Sequence, residues 1–166
     1  LQMLERGLGS DHPDVARSLN PLASLYVMQG KYDEAEALFL RALRIREQAL
    51  GPDHPKIAYP LNGLADLYVM QGRYEEAEAL FVRALHVREQ ALGPDYPKVV
   101  YSLNGLADLY YKQGKYEEAE PLLRRALIIR EQSLGSQHPH LAETLHALAI
   151  FHHDQGHLAE ARDLYQ

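Results

Sequence analysis

The sequence predicts an all-α fold, a solenoid of antiparallel helical hairpins, and three observations support this prediction. Glycines recur every 42 residues in two series, at Gly9, Gly51, Gly93 and Gly135 and at Gly30, Gly72, Gly114 and Gly156. Prolines keep the same step, four residues after the first series, at Pro13, Pro55, Pro97 and Pro139. The stretches 51–92 and 93–134 differ at 13 positions and agree at the other 29. A fixed period of this length is typical of a repeat architecture.

The first helix of each period, helix A, begins at the proline. Proline suits the first turn of a helix, because the N–H groups of that turn have no intrahelical partner. In the second complete period, helix A is predicted over Pro55 to Gln71. Its apolar residues follow the three- and four-residue steps of an amphipathic helix, at Ile57, Leu61, Leu64, Ala65, Leu67 and Tyr68.

The second helix of each period, helix B, follows the second glycine. In the same period it is predicted over Tyr74 to Leu92, with apolar residues at Tyr74, Ala77, Leu80, Phe81, Ala84, Leu85 and Val87. Glu75 and Glu76 lie near its N-terminus, where the helix dipole favours negative charge. Small residues that would let helix axes approach closely recur as Ala23, Ala35, Ala42, Ala65, Ala77, Ala84, Ala107, Ala119 and Ala126.

The repeat boundaries divide the chain into five parts. These are the end of a preceding helix B at 1–9, three repeats at 10–51, 52–93 and 94–135, and a truncated repeat at 136–166. Both ends fall inside a repeat, so we expect a fragment of a longer protein. Solenoids normally end in a polar capping helix. Without one, apolar residues are available for end-to-end self-association, at Leu4, Leu8, Leu158, Ala161 and Leu164.

Composition and charge exclude several classes of partner. The formal net charge of −6 opposes the phosphate attraction that dominates nucleic-acid binding, and anionic membranes are equally unfavourable. The chain has no cysteine, so neither a disulfide nor a thiolate metal site can form, and a reducing compartment is permitted. No apolar run is long enough to span a bilayer, and the first ten residues do not resemble a secretion signal. We expect a cytoplasmic protein.

Catalytic residues are not predicted. The repeated carboxylates, such as Asp66 and Asp108, occupy equivalent positions and lack the contrasting environments that acid–base catalysis requires. No glycine-rich phosphate loop, nucleophile elbow or HExxH spacing occurs in the sequence. We therefore predict no enzymatic activity and no cofactor.

Histidines crowd the last repeat, at His138, His140, His146, His152, His153 and His157. Clustering alone is a weak metal signal, although His146 and His153 are two helical turns apart and could share a face. Gly156 is expected to end helix A between His153 and His157, which separates that pair. We predict surface or capping histidines and no metal site. A capping or turn role is favoured for those that precede the prolines, His12, His54 and His138.

Several residues have the spacing of a known repeat signature, namely Leu22, Ala23, Tyr26, Gly30, Tyr32, Ala35, Phe39 and Ala42. In these the chain resembles the tetratricopeptide repeat family. The 42-residue period, Gly51–Pro55 between hairpins, the Leu-Asn pair in helix A and the stretch Ile45–Gln48 resemble kinesin light chain and related bacterial proteins. The resemblance covers essentially the whole chain. It implies a right-handed solenoid whose concave groove is lined by helices A.

The resemblance also implies the positions of the groove contacts. They are Arg17, Asn20, Ser24, Met28, Tyr59, Asn62, Asp66, Met70, Tyr101, Asn104, Asp108, Tyr111, Lys112, Glu143, His146 and His153. Asn20, Asn62 and Asn104 would form a ladder able to bind the backbone of an extended peptide. Alternatively, each caps, bonds to the next helix or faces solvent. Kinesin light chains carry a second asparagine next to the first, which this chain replaces by Pro21, Gly63, Gly105 and Ala147. The proline and glycines are expected to weaken helix A locally.

We interpret the chain as a protein- or peptide-binding scaffold. Two alternatives remain, a structural module that self-assembles through its ends, and a regulatory sensor segment of a larger nucleotide-binding protein. Groove charges predict a neutral to basic peptide partner, because Arg17 and Lys112 face Asp66, Asp108, Glu143 and Asp154. The groove tyrosines and methionines predict an apolar anchor on that partner.

Overall fold

A computed structural model describes residues 3, 6–7, 9–134, 139–157 and 160, and every regular element in them is a helix. The elements in chain order are α1 (Pro13–Met28), α2 (Tyr32–Leu50), a 3₁₀ turn (Pro55–Ile57), α3 (Ala58–Met70), α4 (Tyr74–Leu92), α5 (Val99–Lys112), α6 (Tyr116–Leu134) and α7 (Pro139–Asp154). Odd-numbered α-helices are helices A and even-numbered ones are helices B. The prediction of an all-α fold is confirmed.

The predicted limits of helix B are confirmed, and those of helix A vary between repeats. Helix α4 covers the predicted Tyr74–Leu92. Helix α1 begins at its proline, but the second helix A opens with the 3₁₀ turn, and α5 begins two residues after Pro97. Such 3₁₀ turns are common at helix ends, where some backbone groups have no intrahelical partner.

The turn from helix A to helix B requires glycine. At Gly72 φ is +74°, a left-handed conformation that side chains other than glycine's rarely adopt. The Gly72 N–H donates to the Val69 carbonyl at 3.1 Å, and the Arg73 N–H donates to the Tyr68 carbonyl at 2.8 Å. This pair of bonds is a Schellman motif, which satisfies the last carbonyls of α3 and ends it.

The chain divides into two compact units, Leu1–Gly93 and Pro94–Gln166. In the first unit, two clusters of buried residues lie between successive helices, Val15, Ala16, Leu19, Ala42 and Ile45, and Leu43, Ile57, Ala58, Leu61, Ala84 and Val87. In the second unit a cluster joins α5, α6 and α7, with Ala107, Ala119, Leu123, Leu148 and Phe151. All nine recurring alanines predicted at close helix contacts are buried.

Gly63 has a packing role that the sequence interpretation missed. The sequence suggests only that this glycine weakens helix A. In the structure α3 approaches α2 so closely that a Cβ atom at Gly63 would lie 2.4 Å from Cε1 of Phe39. The Phe39 ring is buried at 3% exposure, so it has little room to move. Helix α1 also runs without interruption through Pro21.

Several predicted features lie outside the described residues. These are Gly135, His138 and the apolar end residues Leu4, Leu8, Leu158, Ala161 and Leu164, together with the side chains of His140, Glu143 and Ala147. Among the helices that are described, none is both long enough and apolar enough to cross a membrane.

Candidate functional site

The helix-A side chains predicted to line the groove differ in exposure. The exposed ones are Arg17, Ser24, Met28, Tyr59, Met70, Tyr101, Asp108, Lys112, His146 and His153, and the half-buried ones are Asn20, Asp66, Asn104 and Tyr111. Met28 is 85% exposed and Met70 58%. Asn62 differs from the rest, because it is only 2% exposed.

The three asparagines of the expected ladder are therefore not equivalent. The Oδ1 atoms of Asn20 and Asn104 are enclosed by protein, and no described group donates a hydrogen bond to them. Asn62 lies in the interior because α3 packs against α1, α2 and α4 at once. Asn20 and Asn104 are thus partly exposed residues with an enclosed acceptor atom, whereas Asn62 is buried as a whole.

A pocket of about 570 Å³ lies beside Asn20 in the first unit. It is lined by Pro13, Asp14, Arg17, Asn20, Pro21, Arg46, Leu50, Lys56 and Tyr59. Three of these side chains are cationic and one, Asp14, is anionic. Arg17 approaches Asp14 at 3.7 Å, with both side chains more than half exposed. The lining of this pocket is positive, whereas the sequence-based tally of groove charges is net acidic and predicts a neutral to basic partner.

Arg46 supports the base of the same pocket, a role that the sequence interpretation missed. Its Nη1 donates to the Lys56 carbonyl at 2.7 Å, and its Nη2 donates to the Ala16 carbonyl at 3.3 Å. Burial lowers the pKa of this guanidinium. It lies 5.7 Å from the ring centroid of Tyr59, and the guanidinium of Arg88 lies 5.2 Å from the same ring. The two arginines hold Tyr59 in place by cation–π contact.

The recurrence of this arginine is the sequence signal that could have revealed its role. Arg46, Arg88 and Arg130 keep the 42-residue step. Arg46 is 8% exposed and Arg88 3%, and Arg130 donates to the Thr144 hydroxyl at 2.7 Å. An arginine that recurs within a helix rich in apolar residues indicates a buried, hydrogen-bonded guanidinium.

A second pocket, of about 310 Å³, lies between α5, α6 and α7 in the second unit. Its lining consists of Asn104, Ala107, Asp108, Tyr111, Leu123, Ile150 and Phe151. Three helix-A residues that the sequence predicts as groove contacts, Asn104, Asp108 and Tyr111, lie together here because steps of four and three residues share one helix face. The exposed His146 and His153 are not part of the lining.

Charged groups bond to two residues of this lining, Asp108 and Tyr111. Lys112 Nζ lies 2.5 Å from Asp108 Oδ2, and the Tyr111 hydroxyl donates to Asp154. That bond and the nearby carboxylate raise the pKa of Tyr111 to about 12. The same hydroxyl, followed by His153, lowers the pKa of Asp154. At neutral pH Tyr111 is therefore protonated and Asp154 is ionised.

Three aromatic rings pack together beside the pocket, and two of them, Tyr111 and Phe151, line it. The centroids of Tyr111 and Tyr116 are 5.7 Å apart, those of Tyr116 and Phe151 are 6.0 Å apart, and those of Tyr111 and Phe151 are 6.5 Å apart. Edge-on contacts of this kind contribute beyond simple burial. The contacts among these rings join α5, α6 and α7 beside the pocket.

The capping role predicted for two histidines is confirmed. His12 Nδ1 accepts from the Asp14 N–H at 3.2 Å, and His54 Nδ1 accepts from the Lys56 N–H at 3.1 Å. His152 is buried at 4% exposure, with its Nε2 3.8 Å from Glu120 Oε1. In the part of the chain that the structure describes, no group of three or more histidine, aspartate or glutamate side chains is placed to hold a metal ion.

Comparison with family models agrees with this architecture. The tetratricopeptide repeat model matches residues 1–48, 14–90, 61–132 and 99–166, which together cover the chain. The chain belongs to the tetratricopeptide repeat family. Repeats of this family generally mediate binding to proteins or peptides.

Two solved structures are similar to this tetratricopeptide repeat protein. The crystal structure of BtubC (BKLC) from P. vanneervenii has a TM-score of 0.81 at 26% identity. The match covers 92% of the present chain and 61% of the BtubC chain. A putative kinesin light chain from Podosopora anserina has a TM-score of 0.75 at 28% identity, with coverage of 99% and 78%. The resemblance to the kinesin-light-chain type is confirmed. A search of the curated proteins finds no match.

Proposed function

We propose that this chain is a peptide- or protein-binding scaffold whose ligand lies along the groove formed by helices A. The observation that carries the proposal is that two side-chain carboxamides on helices A have an acceptor oxygen without a hydrogen-bond donor. Asn20 Oδ1 and Asn104 Oδ1 are enclosed acceptors, each beside a pocket, and no described group donates to either. An enclosed acceptor without a donor costs about 1–3 kcal/mol. Because both residues are half-buried, a turn of the carboxamide brings the acceptor to the pocket, where a backbone N–H of an extended peptide can donate to it.

Exposed apolar side chains on the same helices support this function. Met28, Tyr59, Met70 and Tyr101 are between 46% and 85% exposed, although each is large and apolar or aromatic. Tyrosine and methionine are enriched where proteins meet their partners, because they offer large contact areas. These residues serve as candidate anchors around the two carboxamides.

The perturbed titratable groups are explained by packing, and they give no indication of catalysis. Tyr68 donates to Glu36 Oε1 at 2.7 Å, and the Arg73 guanidinium lies 3.6 Å from the Tyr68 ring centroid. Burial, followed by the bond to Glu36, raises the pKa of Tyr68. Because this network joins α2 to α3 inside the first unit, its shifts follow from a structural contact.

The proposal is tested by fluorescence anisotropy with a library of extended peptides and two single variants, Asn20→Ala and Asn104→Ala. Each variant should weaken binding at its own pocket by about 1–3 kcal/mol, because a hydrogen bond to the ligand is lost. Gln90→Ala and Gln132→Ala remove exposed amides from helices B and are the matched controls. Circular dichroism should show unchanged helicity. Peptides that bind all four variants equally well would refute a groove ligand held by the carboxamides.

A further inference from the structure

We propose that the second-unit pocket, the 310 Å³ pocket defined above, selects a peptide that places one large apolar side chain inside it and a lysine or arginine directly beside that side chain. This inference rests on the proposed function, because it assigns the ligand class of one part of the same surface. Three features of the pocket support it.

The first feature is the size and polarity of the pocket. Its inner wall is apolar, with Phe151 2% exposed and Leu123 7% exposed, while Ile150 is 40% exposed at the opening. Ligand pockets commonly measure about 300–1,000 Å³, so this one is at the small end of the range. The space therefore suits a single leucine- or phenylalanine-sized side chain better than an extended apolar surface.

The second feature is the position of the unsatisfied acceptor. Asn104 Oδ1 is enclosed on the α5 side of the pocket and receives no hydrogen bond from any described group. A peptide whose side chain enters the pocket brings its own backbone N–H groups to the surface of α5. Because Asn104 is half-buried, its carboxamide can turn toward the pocket and accept from one of these N–H groups, which fixes the register of the peptide.

The third feature is the charge of the lining and of the groups bonded to it. Asp108 is paired with Lys112, and Asp154, which has His153 Nδ1 at 3.1 Å, stays ionised because the Tyr111 hydroxyl donates to it. The Asp108–Lys112 pair is exposed, with side chains 55% and 44% accessible, so its contribution to stability is small. A cationic ligand residue can therefore replace or join Lys112 at Asp108, whereas an acidic residue meets two carboxylates.

The first-unit pocket provides an internal contrast. It is lined by Arg17, Arg46 and Lys56 against Asp14. The lining of the first-unit pocket is therefore positively charged, and that of the second-unit pocket is negatively charged. We expect the preference for basic peptides at the second-unit pocket and not at the first-unit pocket. The net charge of −6 would favour basic peptides anywhere on the chain. A preference that is lost on a single substitution at the second-unit pocket would therefore have to come from that pocket.

The experiment measures binding of the whole 166-residue chain to fluorescein-labelled peptides that contain leucine followed by one variable residue, in a flank of alanine and serine. The variable residue is lysine, norleucine or glutamate. We expect the lysine peptide to bind about three- to fivefold more tightly than the norleucine peptide, and the glutamate peptide to bind most weakly. Asp108→Asn should abolish the difference between lysine and norleucine. Glu117→Gln removes an exposed carboxylate from α6 and should leave the difference unchanged.

The apolar anchor is tested with a peptide in which alanine replaces the leucine. Its binding should be weaker by at least tenfold, and Ile150→Arg should remove that dependence by obstructing the opening. If peptides bind without preferring lysine, or if the preference survives Asp108→Asn, the inference is wrong while the proposed function stands. If no peptide binds the chain at all, the proposed function is wrong and the inference falls with it.

Discussion

Replacing Gly63 by alanine separates two effects, helix propensity and packing against Phe39, because they predict opposite changes in the stability of the chain. Helix propensity alone predicts that alanine stabilises α3 by about 1 kcal/mol. The structure places the added methyl 2.4 Å from Cε1, 2.7 Å from Cζ and 3.0 Å from Cδ1 of Phe39. Carbon atoms pack at about 3.5–4.0 Å, so the ring must shift by roughly 1 Å.

The steric term should exceed the propensity term. Overpacking of a well-packed core costs about 1–3 kcal/mol, and the upper end applies because three ring atoms are too close and Phe39 is only 3% exposed. The net destabilisation is then about 2 kcal/mol after subtracting the gain in propensity. For a chain of this size that lowers the melting temperature by roughly 4–8 °C.

Thermal unfolding followed by circular dichroism checks this value. Combining Gly63→Ala with Phe39→Leu should recover part of the loss relative to Phe39→Leu alone, because the smaller side chain can yield space to the methyl. A higher melting temperature for Gly63→Ala would show that propensity dominates and that the close contact between α2 and α3 does not constrain position 63.

Three further predictions follow from other contacts. Arg46→Ala should destabilise the first unit by about 2–4 kcal/mol in urea unfolding, because two carbonyls lose a charged donor, whereas the exposed Arg44→Ala should have an effect below about 0.5 kcal/mol. Ala119→Leu should destabilise the second unit by about 1–3 kcal/mol, and an unchanged melting temperature would contradict the close contact there. Absorbance at alkaline pH should show one tyrosine ionising near pH 12, and Tyr111→Phe should remove it. The folded chain holds this proton more tightly than the unfolded chain, so Tyr111 contributes stability that is lost as pH rises from about 10 to about 12.

Local signals in the sequence were sufficient to predict the positions of the helices and of the turns between them. A glycine with positive φ, such as Gly72, and a proline at a helix start act on their own few residues, so their spacing predicts where helices begin and end. The exception is Pro97, two residues before α5, because several backbone arrangements can satisfy the first turn.

Features that depend on contacts between helices were not predictable in this way. A period of 42 residues assigns the same environment to Asn20, Asn62 and Asn104, but Asn62 is buried and the other two are half-buried. Gly63 acquires its role from Phe39 of another helix. Such three-dimensional neighbours are absent from a one-dimensional pattern, so equivalent positions can differ in function.

The 13 differences between the stretches 51–92 and 93–134 include changes at the proposed binding surface. Most of the residues that build the hairpin are unchanged, including Asn62 and Asn104, and Asp66 and Asp108. Two of the changes adjoin one another at the end of helix A, where Val69 and Met70 correspond to Tyr111 and Lys112. In the second unit Tyr111 lines the second-unit pocket and bonds to Asp154, and Lys112 bonds to Asp108, another residue of the lining. The unchanged positions therefore keep both the hairpin and its helix-A carboxamide and carboxylate, while a pair of substitutions at the end of helix A changes the charge and shape of the surface beside them.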